Sequence, residues 1–196
     1  MACALALAHG TQAGNIVEID AAYDADMAES RLRTLFSDMG LSMEGVQVYP
    51  GPTRYTRPGA FSFPISPPEN IAIVISKDRR WSAWHYSALA HEMGLAAWWR
   101  SLPQEAALSP VLWDPPTAFF EGVGQFFERM ATSSDFASRI EDFDADLAAK
   151  LDALHRSETI DTITHYLACT RTEKMLYERP GAWDDIAKDV ASIEKR

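Results

Sequence analysis

The chain has 196 residues, of which 47% are hydrophobic and 23% are charged, and its formal net charge at neutral pH is −10. This composition allows a well-formed core and argues against disorder. The negative charge disfavours a nucleic-acid partner, which needs a basic face, and gives no electrostatic reason to approach an anionic membrane. No apolar run approaches the ~20 residues that a membrane-spanning helix requires.

Cysteine usage and the N-terminal segment bear on location. Cys3 and Cys169 are too few for a disulfide framework, so we expect free thiols in a reducing compartment. The chain begins with a short apolar run that lacks a positively charged flank, so we expect a cytoplasmic protein rather than a secreted one. We also expect a single domain, residues 1–196, in which residues 1–19 are flexible.

The N-terminal part predicts a helix and a small sheet, over residues 20–80. Asp20 to Met39 carries an apolar stripe at helical spacing, and Gly40 suits a C-cap. Three short segments then have strand patterns: VQVYP at 46–50, AFSFPI at 60–65 and IAIVIS at 71–76.

Residues 81–196 have helical periodicity. The predicted helices are Ser82 to Trp99, Thr117 to Met130 with Thr117 as N-cap, Asp135 to His155, Thr159 to Glu178 and Trp183 to Lys195. A helix, a small sheet and then a helical block predict an α+β fold that is mostly α-helical.

The helix from Ser82 carries the sequence HEMGL. A zinc peptidase needs two histidines four residues apart, because both imidazoles then reach one ion from the same helix face. A glutamate after the first histidine can act as general base on a metal-bound water. Here His91 and Glu92 occupy the first two positions, and Leu95 stands where the second histidine would be.

The next helix reads FFEGVGQFFE. Glu121 and Glu128 are seven residues apart, two turns, so both carboxylates lie on one face beside several phenylalanines. A carboxylate buried on so apolar a helix requires a cation or a hydrogen-bond donor. The alternative is that both glutamates lie on an exposed strip while the phenylalanines pack elsewhere.

Together, HEMGLAAWW and AFFEGVGQFFE resemble the core of the gluzincin oligopeptidases, the clan of angiotensin-converting enzyme, thimet oligopeptidase and oligoendopeptidase F. RPGAFSFPI at 57–65 is similar to the cleft-edge strand of that group, IAIVIS to the strand before the zinc helix, and RTEKMLYERP at 171–180 to a later helix end. The resemblance spans roughly Leu32 to Pro180 and implies a zincin-like core.

The resemblance implies a Zn²⁺ cofactor, peptides as substrates and a role for each matching residue. His91 and Glu121 are the implied zinc ligands, Glu92 the implied general base and Glu128 an acid that supports a ligand from outside the coordination sphere. The implied peptide-binding residues on the cleft-edge strand are Gly59, Ala60 and Phe61.

Two departures from the family pattern predict an impaired or inactive peptidase. Leu95 cannot bind metal, and none of His9, His85, His155 and His165 is expected to replace the missing imidazole. The family also supplies an oxyanion-stabilising tyrosine from a region well beyond the second zinc helix, and we expect this chain to correspond to the middle third of a peptidase.

Two alternatives stay open. One is a non-catalytic module that binds an extended peptide on AFSFPI, with tryptophans lining the site (Trp98, Trp99 and Trp113). The other is a fragment without a separate role, which would expose apolar surface where further segments should pack.

Overall fold

A computed structural model describes residues 17–51, 59–76, 82–103, 105, 116–140 and 143–193. Helix α1 (Ala28–Asp38) is followed by three strands, β1 (Val46–Gly51), β2 (Ala60–Ser66) and β3 (Asn70–Ser76). The helices that follow are α2 (Ser82–Ser101), α3 (Thr117–Ala131), α4 (Ser134–Ile140), α5 (Ala145–Glu178) and α6 (Trp183–Ile193). The expected α+β, mostly helical class is confirmed. Trp113 and most of residues 1–19, on which other predictions fall, lie outside the described ranges.

The sheet is mixed, with strand order β1-β3-β2. Strand β3 pairs in parallel with β1 and antiparallel with β2, so that Ser62 lies opposite Ile73 and Phe61 opposite Val74. Residues at alternate positions of β3 are buried (Ile71, Ile73 and Ile75). Because side chains alternate between the two faces of a strand, these isoleucines and Ser62 share the inner face of the sheet.

Helix α2 is central to the first part of the fold, since it packs against the sheet, α1 and α3. It is buried nearly all round, as expected of a core helix. Helix α1 contributes Leu32 and Phe36, both fully buried, and the Phe36 ring stacks on Phe127 of α3 with centroids 4.7 Å apart. The core therefore lies between the sheet and these three helices.

Helix α1 ends where the sequence predicted but begins later. Gly40 has a φ of 75°, and its N–H and that of Leu41 bond to the carbonyls of Ser37 and Phe36, which is a Schellman C-cap. Residues 17–22 are helical, yet the helix is interrupted before Ala28. The carboxylate of Asp24 accepts the N–H of Asp26 at 3.0 Å, a local turn that competes with the helix.

Two further helix boundaries were predicted wrongly. Thr117 is the first residue of α3 rather than its N-cap, and no side chain caps this end. The break in the later helical block comes before Ala145, where Asp144 caps α5 through the N–H of Leu147 at 2.9 Å. No break occurs near Thr159, which lies inside the continuous helix α5 with its hydroxyl bonded to the carbonyl of His155.

The chain divides into two compact units, Met1–Leu151 and Asp152–Arg196. The second contains most of α5 together with α6, and its described core includes Met175 and Ile186. The expectation of a single domain stays a prediction. In the described part of the chain, no helix is both long and apolar enough to span a membrane.

Candidate functional site

Helices α2 and α3 bring one imidazole and two carboxylates together. His91 Nε2 lies 3.3 Å from Glu121 Oε2, and His91 Nδ1 lies 3.2 Å from Glu128 Oε2. The exposed fraction of the side chain is 15% for His91, 28% for Glu128 and 54% for Glu121. The imidazole is therefore held between a half-buried carboxylate and one that faces solvent.

Gly124 makes this approach possible. A Cβ added at Gly124 would lie 2.6 Å from both Cδ2 and Cε1 of His91 and closer still to Nε2. An approach along the in-plane lone pair of Nε2 would leave the two ring carbons markedly farther away, so the backbone of Gly124 covers the face of the ring. Glu121 Oε2 lies 3.3 Å from the same nitrogen.

Glu128 and Ser87 orient the imidazole through hydrogen bonds. Ser87, one turn before His91 on α2, donates its hydroxyl to Glu128 Oε1 at 3.0 Å, while Glu128 Oε2 contacts Nδ1 of the ring. Burial raises the pKa of Glu128, but the hydrogen bonds from His91 and Ser87 outweigh it and leave this pKa below its ordinary value. Glu128 is thus kept as an anion that fixes the ring.

The same contacts act on the imidazole. Burial lowers the pKa of His91, but the hydrogen bond to Glu128 and the charges of Glu92, Glu128 and Glu121 outweigh it, so this pKa is raised above 6.5. The surrounding carboxylates therefore favour the protonated, positively charged form of the His91 imidazole.

Glu92 is the buried acid of the cluster, 9% exposed. Ser62 of β2 donates its hydroxyl to Glu92 Oε2 at 2.6 Å. Burial raises the pKa of Glu92 above its ordinary value, and hydrogen bonding from Ser62 and the His91 charge offset this only in part. An edge strand of the sheet thus fixes one oxygen of the expected general base.

The donors present do not complete a catalytic zinc site. Two ligands of one tetrahedral zinc lie roughly 3.3 Å apart, given Zn–N and Zn–O bonds of about 2.0–2.2 Å, and the His91–Glu121 separation agrees. Such a site needs a third protein ligand, and Leu95 is a buried side chain, 5% exposed. Across the described ranges, no group of three or more His, Cys, Asp or Glu residues has an arrangement that could hold a metal ion.

The residues expected to bind peptide lie at the start of the edge strand β2, with Gly59 directly before it. Gly59 accepts the N–H of Ser76 at 2.9 Å, and Ala60 pairs with Ile75 of β3. The side chain of Phe61 is 49% exposed and lies on the face of the sheet opposite to Ser62. Phe61 therefore points away from Glu92.

The sequence did not indicate three residues of this site. Gly124 stands in a helix interior, and an isolated glycine there signals a close approach that periodicity alone does not explain. Ser87 is four residues before His91, a spacing that shares a helix face. Nothing in the sequence connects Ser62 with Glu92, since the two are thirty positions apart.

Comparison with protein-family models, with curated proteins and with solved structures finds no match for this chain. Its site is therefore interpreted from the chain's own residues.

Proposed function

We propose that this chain is a metallopeptidase-like domain of the gluzincin type, with zinc binding impaired by Leu95. The observation that supports this most is the pair of carboxylates on the two nitrogens of His91. Zinc-binding histidines usually donate their other ring N–H to a carboxylate, and Glu128 takes that place on Nδ1. Glu121 then faces Nε2 at the separation of a second ligand.

The contacts that orient His91 and Glu92 are present without a bound ion. Glu128 fixes the ring of His91, and Ser62 fixes one oxygen of Glu92. Leu95 contributes an apolar side chain where a third donor is needed. Because the donor set is incomplete, we propose that hydrolysis of peptides is weak or absent in the natural chain. The proposal includes a cytoplasmic location, which the two cysteines favour.

Zinc affinity in the natural chain and in Leu95→His tests the proposal. The substituted imidazole lies four residues after His91 and supplies the third ligand, so affinity should rise at least roughly 100-fold. Leu95→Met is the matched control, since it keeps the volume and adds no imidazole. A folded Leu95→His protein whose zinc affinity equals that of Leu95→Met would contradict the proposal.

Hydrolysis supplies a second readout. With zinc present, Leu95→His should cleave a fluorogenic peptide library faster than the natural chain, and adding Glu92→Gln should abolish the gain while zinc stays bound. If the double variant cleaves as fast as Leu95→His alone, Glu92 is not the general base.

The second candidate function, peptide binding without catalysis, is favoured by the edge strand. Strand β2 lies at the end of the sheet and exposes three large apolar side chains on its outer face (Phe61, Phe63 and Ile65). An extended peptide can pair with such an edge through main-chain hydrogen bonds. Trp99, proposed from sequence as a lining residue, is buried in the core, and Trp98 is half-buried.

Calorimetry with extended peptides tests this second function. Each peptide is paired with a version whose amides are N-methylated on the pairing edge, which removes the donors that strand addition needs. Affinity should fall with methylation if β2 pairs with the peptide. Equal affinity of both versions, or no binding, would exclude β2 as the site.

A further inference from the structure

A second pair of metal-binding side chains lies on helix α5, outside the site described above. His165 and Cys169 are four residues apart, and Cys169 Sγ lies 3.6 Å from His165 Nε2. Both residues are exposed, and Cys169 is a free thiol. A helix places residues i and i+4 on one face, so both side chains can reach the same point in solvent.

We propose that His165 and Cys169 form a two-donor site for a thiophilic divalent cation of the Zn²⁺ or Cd²⁺ class. A thiolate sulfur at about 2.3 Å and an imidazole nitrogen at about 2.0–2.1 Å from a tetrahedral zinc are roughly 3.5–3.6 Å apart. The separation of 3.6 Å between Cys169 Sγ and His165 Nε2 agrees with this geometry. An ion can therefore bind between the two atoms without a change in the helix.

The donor types select the class of ion. Thiolate and imidazole suit Zn²⁺ and softer ions, whereas Mg²⁺ and Ca²⁺ prefer oxygen ligands. The site is thus distinct in chemistry from the carboxylate-rich cluster around His91.

Carboxylates extend the same helix face on both sides of the pair. Asp161 lies one turn before His165, and Glu173 lies one turn after Cys169; both are exposed. Each is about 6 Å farther along the helix axis, so neither is needed as a ligand of the same ion. Their negative charge raises the local concentration of cations.

The pair supplies half of a tetrahedral coordination sphere. Among the residues the structure describes, no third His, Cys, Asp or Glu joins it in a metal-binding arrangement. The two remaining positions are therefore open to water or to donors of a second molecule. This inference is independent of the proposed peptidase-like function, because it uses no residue of the His91 cluster.

Titration of the full chain with Cd²⁺ tests the proposal, since Cd²⁺ bound to thiolate has a charge-transfer absorbance in the ultraviolet. Cys3→Ser serves as background, so that Cys169 is the one remaining thiol of the sequence. We expect saturable absorbance, its loss in Cys169→Ser, and at least roughly tenfold weaker affinity in His165→Gln. Zn²⁺ should displace Cd²⁺ competitively.

His155→Gln is the control. His155 lies on the same helix but outside the pair, so its substitution should not change the titration. His165 and Cys169 are exposed, so their variants should keep the far-ultraviolet circular dichroism of the natural chain. Equal Cd²⁺ affinity in His165→Gln and in its background, or an unchanged titration in Cys169→Ser, would overturn the proposal.

Discussion

Two histidines of this protein, in different compact units, differ in the residue that follows four positions later and in their surroundings. His91 has carboxylates of a neighbouring helix on both ring nitrogens, but Leu95 follows it one turn later. His165 has a cysteine one turn later, but its surroundings are solvent-exposed helix. In the two metal sites proposed above, the first is pre-organised and lacks a ligand from its own helix, and the second has that ligand and lacks support.

The difference shows which part of a cluster of donor side chains comes from helix periodicity and which comes from packing. Spacing of four residues places two donors together wherever the helix runs. Burial and the orientation of an imidazole require a second element, here helix α3, and a glycine that lets the two helices approach. Four substitutions distinguish the two regions, and they follow from the largest expected effect on stability to the smallest.

Gly124→Ala should lower the free energy of unfolding by about 1–3 kcal/mol, because the added methyl group meets the His91 ring. Gly122→Ala on the same helix is the control: nothing lies within 4 Å of its new Cβ, and alanine favours a helix, so stability should rise by up to about 1 kcal/mol. Chemical denaturation followed by circular dichroism measures both. Equal effects of the two substitutions would mean that Gly124 does not contact the ring.

Glu128→Gln should lower the free energy of unfolding by about 1 kcal/mol near pH 5.5, with zinc removed by a chelator. Glu128 has a lowered pKa, so its contribution is present above the ordinary value of 4.5 and is lost as pH falls through the folded-state pKa. His91 has a raised pKa, so its charge contributes below 6.5 and this contribution is lost as pH rises through the folded-state value.

The difference between the natural chain and Glu128→Gln should therefore be largest between these two transitions and smaller on either side. Denaturation curves at a series of pH values measure it. A difference that does not vary with pH would contradict an ion pair between Glu128 and His91.

Glu92→Gln should raise the free energy of unfolding at pH 7 by about 0.5–1 kcal/mol, because a buried carboxylate costs stability that a neutral amide of similar shape does not. Burial raises the pKa of Glu92, so ionisation of this carboxyl group destabilises the fold as pH rises through its folded-state pKa. The amide can still accept the hydroxyl hydrogen bond from Ser62. The gain should disappear in acid, where Glu92 is protonated; a gain that persists there would point to packing instead of charge.

Cys169→Ser should change the free energy of unfolding by less than about 0.5 kcal/mol in the presence of chelator, because the side chain is exposed. Saturating Zn²⁺ should stabilise the natural chain by binding to the pair on helix α5. The same addition should give no such stabilisation in Cys169→Ser. Thermal melts with and without Zn²⁺ compare the two. Stabilisation of Cys169→Ser equal to that of the natural chain would place the ion elsewhere.

The fold was more predictable from sequence than the site. Strand boundaries follow from local alternation and from turn residues, and β1, β2 and β3 begin within one residue of the predicted positions. Two of the errors coincide with hydrogen bonds from single side chains to backbone N–H groups: Asp144 caps α5, and Asp24 forms a turn before α1. Such bonds compete locally with the helix and leave no periodic signal.

In the site, periodicity places Glu121 and Glu128 on one face and His91 and Leu95 on another, but it does not say that these faces meet. The contact between Ser62 and Glu92 depends on how the sheet packs on α2, which no local pattern encodes. The same limit applies to Gly124, whose role depends on the distance between two helices. The metal-binding and catalytic roles of these residues stay predictions.

The most direct test of the central claim compares zinc affinity in Leu95→His with that in Leu95→His combined with Glu121→Gln. Both carry Cys169→Ser so that the helix α5 pair does not contribute. If His91 and Glu121 are aimed at one ion, loss of the carboxylate should weaken zinc binding at least roughly tenfold. Equal affinity in the two proteins would show that Glu121 is no ligand and that the His91 cluster is not a metal site of the peptidase kind.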